Sequence, residues 1–152
     1  MKRILILLAI MVIFLGSASF CSNGDTPIKS DNNMQISTKM KIKIGSKNFT
    51  ATLLNNESAK AFMELVPLTI AMIEFNGNEK YYDLPNSLPV NSSNPQSIKT
   101  GDLMLYGSKT LVLFYKSFST SYSYTKLGFI DDTTGLAEAL GAENITVSFE
   151  LE

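Results

Sequence analysis

The stretch GDLMLYGSKTLVLFYKSFSTSYSYTKLGFI, residues 101–130, decides the fold. It holds three apolar or aromatic runs: Leu103 and Leu105, then Leu111, Leu113 and Tyr115, then Tyr122, Tyr124 and Leu127. Large apolar side chains at every second position suit pleated strands with one buried face. Gly107-Ser108 and Ser119-Thr120-Ser121 supply the breaks between them. Three short strands with connections this tight pair as antiparallel neighbours, the rhythm of a small, tightly wound barrel.

The flanking sequence continues the pattern. Met40, Ile42 and Ile44 alternate with Lys39, Lys41 and Lys43, a half-buried strand with a lysine-coated outer face, and Gly45-Ser46 turns it into a second strand over 49–53. Asn55 or Asn56 caps a helix over 57–66 that sets Ala59, Phe62, Met63 and Val66 on one side and ends at Pro67. Strands over 68–75 and 79–82 flank an Asn76-Gly77-Asn78 turn, and Asp83 to Ser97, with Pro85, Pro89 and Pro95, reads as a long surface loop. Asp132 or Thr133 caps a second helix through Leu140, closed by Gly141, and 145–149 alternates as the last strand. The expected fold class is mainly β: a small closed β-barrel of seven or eight strands with two short helices.

Composition excludes several chemistries. The chain has no His, no Trp, one Cys (Cys21) and one Arg (Arg3). Ser-His-Asp and Cys-His catalysis, Cys/His zinc sites and internal disulfides are therefore ruled out for the folded part, and no catalytic residue, metal site or cofactor is expected. The formal charge is −1, and loss of Lys2 and Arg3 with a cleaved leader takes it to −3, which disfavours nucleic-acid binding. Two carboxylate pairs, Asp131-Asp132 with Glu138 and Glu74 with Glu79, read as helix-terminal charge and as solvated residues flanking a hairpin turn.

The first residues give an address. Met1-Lys2-Arg3, an apolar run over 4–15 and Gly16-Ser17-Ala18-Ser19 form an export signal over 1–20. Cys21 before Ser22-Asn23-Gly24-Asp25 resembles the acylated cysteine and polar tether of a bacterial lipoprotein, which would hold the protein at the cell envelope membrane. Phe20 departs from the small residue usual before that cysteine, so a released protein and an uncleaved anchor stay open beside the lipoprotein. Residues 21–37 form a flexible tether, and 38–152 make one domain.

NNESAKAFMELVPLTIAMIEFNGNEKYYDLP, followed by GDLMLYGSKTLVLFYKSF and YTKLGFI, resembles the bacterial cyclophilin-like domain family across roughly 39–151. The resemblance implies a cyclophilin-type barrel, related to the peptidyl-prolyl isomerases, with a binding groove on the barrel wall. In the isomerases an arginine hydrogen-bonds the prolyl amide. The resemblance puts that position near Glu79-Lys80-Tyr81-Tyr82, where no arginine stands. The isomerases' groove glutamine has no counterpart either, since Gln35 and Gln96 fall in the tether and the proline-rich loop.

The same matching sets Tyr82, Tyr106, Tyr115, Tyr122 and Tyr124 around the pocket mouth. Alternation along 111–116 puts Leu111, Leu113 and Tyr115 on one face and Val112, Phe114 and Lys116 on the other, and Tyr115 is assigned to the groove and Phe114 to the core. Rings with hydroxyl tips suit a peptide, a glycan or another small molecule. The competing reading makes most of these rings barrel core or rim. The function expected is thus an exported binding module rather than an enzyme, with a weak prolyl isomerase and a structural or partner-docking envelope protein as alternatives.

Overall fold

A computed structural model describes residues 37–152. The export signal over 1–20, Cys21 and all but the last residue of the 21–37 tether lie outside the described residues. Ten strands and two helices follow in order: β1 (Thr38–Ile44), β2 (Lys47–Leu53), α1 (Glu57–Met63), β3 (Leu68–Phe75), β4 (Glu79–Asp83), β5 (Ser97–Ile98), β6 (Asp102–Tyr106), β7 (Thr110–Phe114), β8 (Phe118–Ser119), β9 (Thr125–Ile130), α2 (Leu136–Leu140) and β10 (Ile145–Leu151). Eight strands close into an antiparallel barrel in the order β1-β10-β3-β4-β7-β6-β9-β2, while β5 and β8 pair as a separate ribbon.

The barrel interior is the main core. Met40, Ile42 and Ile44 point inward from β1, as their alternation with lysine requires, and pack with Leu103, Leu105, Leu111, Leu113, Val147 and Phe149. Phe62 of α1 is fully buried and meets Phe149 edge-on at 5.6 Å. Asn56 caps that helix, its side chain accepting a hydrogen bond of 2.8 Å from the Ala59 amide.

Local chemistry explains where the elements differ from the sequence pattern. The first helix ends at Met63, short of Val66, because the Leu65 and Val66 amides bond back three residues to Phe62 and Met63 and tighten the chain before Pro67. The second helix begins at Leu136 behind Gly135, not at Asp132 or Thr133. Asp132 instead closes a turn of its own, accepting from the Thr134 amide at 2.9 Å. Tyr122 and Tyr124 precede β9 rather than lying in it. Tyr124 exchanges two backbone hydrogen bonds of 3.0 Å with Ser93, so the loop takes the groups that a ladder would have used. Where β9 meets β6 the register slips: Leu103 faces Gly128 while Met104 faces Lys126, and Leu127 becomes the extra, fully buried residue of a bulge.

Candidate functional site

Strand β7 separates two cores. Its inward residues Leu111 and Leu113 belong to the barrel interior, and its outward residues Val112 and Phe114 belong to a second cluster with Ile98, Met104 and Tyr124. Antiparallel pairing carries this parity to the neighbouring strands, since directly opposed residues share a face. Tyr81 and Glu79 stand opposite Val112 and Phe114 and so point outward, whereas Tyr82 and Lys80 stand opposite Leu111 and Leu113 and point inward. On β6, Met104 and Tyr106 share the outward face with Val112 and Thr110.

A cleft of about 440 Å³ opens on this outer wall. Phe75 and Tyr81 line it from β3 and β4, Tyr106 from β6, and Tyr122 and Tyr124 from the segment before β9; Val112, Thr110, Asn76 and Glu79 complete the lining. The rings stand at steep angles to one another. Tyr106 lies 6.1 Å from Tyr122 at 89° and 5.6 Å from Tyr124 at 52°, and Phe75 lies 5.9 Å from Tyr81 at 87°. Tyr124 is anchored from behind by Phe114 at 5.6 Å, whereas Tyr106 and Tyr122 are 47% and 62% exposed. The site thus pairs a buried aromatic floor with exposed aromatic walls, an arrangement suited to covering an incoming group.

Among the described residues, Glu79 is the only charged side chain lining the cleft. It is half-buried, and among the described residues no lysine lies within ion-pair distance of it. Burial first, and the Glu74 charge second, push its carboxyl up from 4.5 to about 7. The folded state therefore holds this proton more tightly than the unfolded chain does. The stability it contributes is fully present below 4.5 and is lost as pH rises through about 7. Burial and the Glu79 charge also hold the Tyr124 hydroxyl above its ordinary value.

Behind the wall sits a second polar group. Lys80 is fully buried, and its ammonium donates to Glu74 Oε2, to the Gly141 carbonyl at 2.9 Å and to the Glu143 carbonyl at 2.7 Å. Three donors meet three acceptors, so the cation is saturated. The Tyr115 hydroxyl donates to the same Glu74 carboxylate at 2.9 Å, and the Lys80 ammonium lies 5.4 Å from the Tyr115 ring centre. Burial alone would raise the Glu74 carboxyl, but hydrogen bonds from Lys80, Tyr115 and the Gly77 amide, with the Lys80 charge, hold it below its usual range. Tyr115 moves the other way: burial and the bonded Glu74 push its hydroxyl up to about 12. The hairpin acids are thus partly withdrawn from water rather than freely solvated: one locks a buried lysine and the other faces the cleft.

Of the tyrosines expected at the mouth, the structure brings Tyr106, Tyr122 and Tyr124 together. Tyr82 packs against the barrel interior and Tyr115 lies buried within it, so neither reaches the cleft. Tyr115, expected in the groove, is instead buried in the barrel-interior cluster. Phe114 is core as expected, fully buried in the second cluster on the face that carries the cleft. The mouth expected from the sequence does not include Phe75, Glu79 or Tyr81, yet the parity of β4 against β7 places two of them. The other carboxylate cluster is dispersed. Asp131 accepts from Lys39 at 2.7 Å and from Thr52 at 2.5 Å, while Glu138 makes an exposed pair with Lys47 at 3.5 Å.

The solution structure of the hypothetical protein AF2241 from Archaeoglobus fulgidus superposes with a TM-score of 0.60 at 16% sequence identity, covering 80% of this chain and 99% of that one. At that identity it supports the fold alone, and it extends the likeness to an archaeal protein. No curated protein matches the chain. The sequence profile described as the cyclophilin-like family matches residues 42–150, nearly the whole barrel from β1 to β10. With the closed eight-stranded barrel and its two short helices agreeing, the chain belongs to the cyclophilin-like family.

Proposed function

We propose that the protein is an exported binding module that takes its ligand in the aromatic cleft on the outer barrel wall. The observation that carries this reading is the cleft itself: about 440 Å³, within the range of ordinary ligand sites, with two walls of half-exposed or more exposed tyrosine. Exposed rings that cost solvation in the free protein are explained if they close on a ligand. A screen of peptides, glycans and small molecules tests it. Tyr106→Ala and Tyr122→Ala are each expected to weaken a hit about tenfold while changing stability by less than about 0.5 kcal/mol. Tyr82→Ala, on the opposite face, is expected to leave affinity unchanged. Equal effects of all three substitutions would refute the cleft as the site.

The fold favours a second reading, a weak peptidyl-prolyl isomerase. Lowering a rotation barrier of roughly 18–20 kcal/mol requires a group that stabilises the twisted amide better than the planar one. Residues 37–152 contain no arginine, and Lys80 faces the barrel interior with its donors taken. Turnover of proline peptides is therefore expected to be negligible, and activity near that of an arginine-bearing cyclophilin would reverse this ranking.

The address belongs to the same proposal and rests on the composition of residues 1–21: a basic start, an apolar run, small residues and then Cys21. Detergent-extracted protein is expected to have the mass of a chain beginning at a diacylated or triacylated Cys21. An intact Met1, or an unmodified start at Ser19 or Phe20, would remove the lipid anchor from the proposal.

A further inference from the structure

We propose that the cleft is a receptor for a small organic ammonium ion, its cationic head enclosed by the tyrosine rings and paired with the Glu79 carboxylate. This rests on the binding-module reading and names its ligand class. The lining supplies the first argument. Five aromatic rings surround the cleft and the one charged side chain among its lining residues is an acid, so ring faces and a carboxylate together make the site electrostatically negative.

Pairing supplies the second argument. The acids Asp102, Glu74 and Asp131, which are buried or partly buried, each hold a lysine, at 2.7 Å for Lys126–Asp102 and for Lys39–Asp131. Glu79 is comparably withdrawn from water and has no such partner. Withdrawing a carboxylate without a counter-ion is costly, and an incoming cation supplies the missing partner. An anionic ligand would meet the same charge as repulsion.

Ring geometry separates a cation from a sugar. A pyranose stacks on a flat aromatic platform, whereas the rings here meet near right angles, Tyr106 against Tyr122 at 89° and Phe75 against Tyr81 at 87°. Walls at such angles turn ring faces in more than one direction, and it is the face of a ring, not its edge, that attracts a cation. That suits a compact, weakly hydrated head such as a methylated ammonium.

Protonation of Glu79 would remove the charge that the ligand needs. The titratable groups around it are Glu74 from β3, Tyr115 just after β7, Tyr124 before β9, Tyr106 from β6, and Tyr81 on its own strand. Burial holds the Glu79 carboxyl near neutrality, so affinity is expected to rise as pH increases through about 7.

Choline and its uncharged carbon isostere, 3,3-dimethylbutan-1-ol, test the inference on the full-length protein, with methyl glucoside as a neutral sugar. Tyrosine fluorescence reports occupancy without interference, since the chain has no Trp. Choline is expected to bind about tenfold or more tightly than its isostere at pH 8. Glu79→Gln is expected to cut that preference severalfold, the ring faces keeping the remainder, while leaving the isostere's affinity within about twofold; an unchanged preference would overturn the pairing with Glu79. Equal binding of choline and the isostere, or tighter binding of the glucoside, would overturn the ammonium assignment and leave the binding module standing. Absence of choline binding up to solubility would overturn the assignment as well. The module reading is then decided separately by the Tyr106 and Tyr122 substitutions in the wider screen.

Discussion

Lys80→Met is expected to destabilise the domain by about 3–5 kcal/mol, the range for removing one member of a buried ion pair. Methionine matches the length of the lysine stem, so the loss does not come from an empty volume. It comes from what the ammonium leaves behind. Glu74 loses its counter-charge in a setting where burial already disfavours its ionised form, and the carbonyls of Gly141 and Glu143 lose their donor. In a domain of this size the loss corresponds to a drop in melting temperature of roughly 12–20 °C. The double variant Lys80→Met with Glu74→Gln is expected to recover part of it, because the uncompensated charge goes while an acceptor for the Tyr115 hydroxyl remains. Thermal melts of the three proteins decide the matter. A single variant as stable as the parent would show that the interior ion pair does not hold the barrel together.

Gly128→Ala is expected to cost about 3 kcal/mol, at the upper end of overpacking substitutions. The position needs glycine for space, not for backbone conformation: a Cβ there would press into the Thr52 carbonyl oxygen and come within 3.1 Å of the Leu53 Cα. Both obstacles are backbone. Gly128 is held between Leu53 on β2 and Leu103 on β6, so neither side can retreat without opening a ladder of the closed ring. Gly45→Ala is the control. Its φ of +60° disfavours a side chain but nothing lies within 4 Å, so a cost of only about 1–2 kcal/mol is expected. Denaturant unfolding of both variants tests the comparison, and equal costs would refute the close approach as the reason for Gly128.

Much of the barrel was legible because most of its strands have one wet face. The lysines at 39, 41 and 43 orient β1 without ambiguity, and Asn76-Gly77-Asn78 marks the β3–β4 hairpin. The cleft was harder to read because β7 is buried on both sides: Leu111, Val112, Leu113 and Phe114 are all inaccessible. Alternation correctly divides such a strand into two faces but cannot say which one looks into the barrel. That ambiguity put Tyr115 in the expected groove, while the family matching set Tyr82 beside Tyr106 although the two stand on opposite faces. Lys80 was illegible for another reason. Its acceptors at Gly141 and Glu143 are some sixty residues away, and a lysine in a strand normally signals solvent. The β5–β8 ribbon, two residues per strand, is too short to leave any periodic trace.

The closed ring has a consequence for self-association. Strand-to-strand aggregation needs adhesive side chains and an open row of backbone donors and acceptors to template the next molecule. Phe75, Tyr106 and Tyr122 supply the first ingredient, each close to half exposed or more. The second is nearly missing: every long strand among the described residues has a neighbour on both sides, and the remaining edges belong to β5 and β8, each two residues long. An aromatic surface that would make an open sheet polymerise is thus tolerable here, which leaves those rings available for recognition.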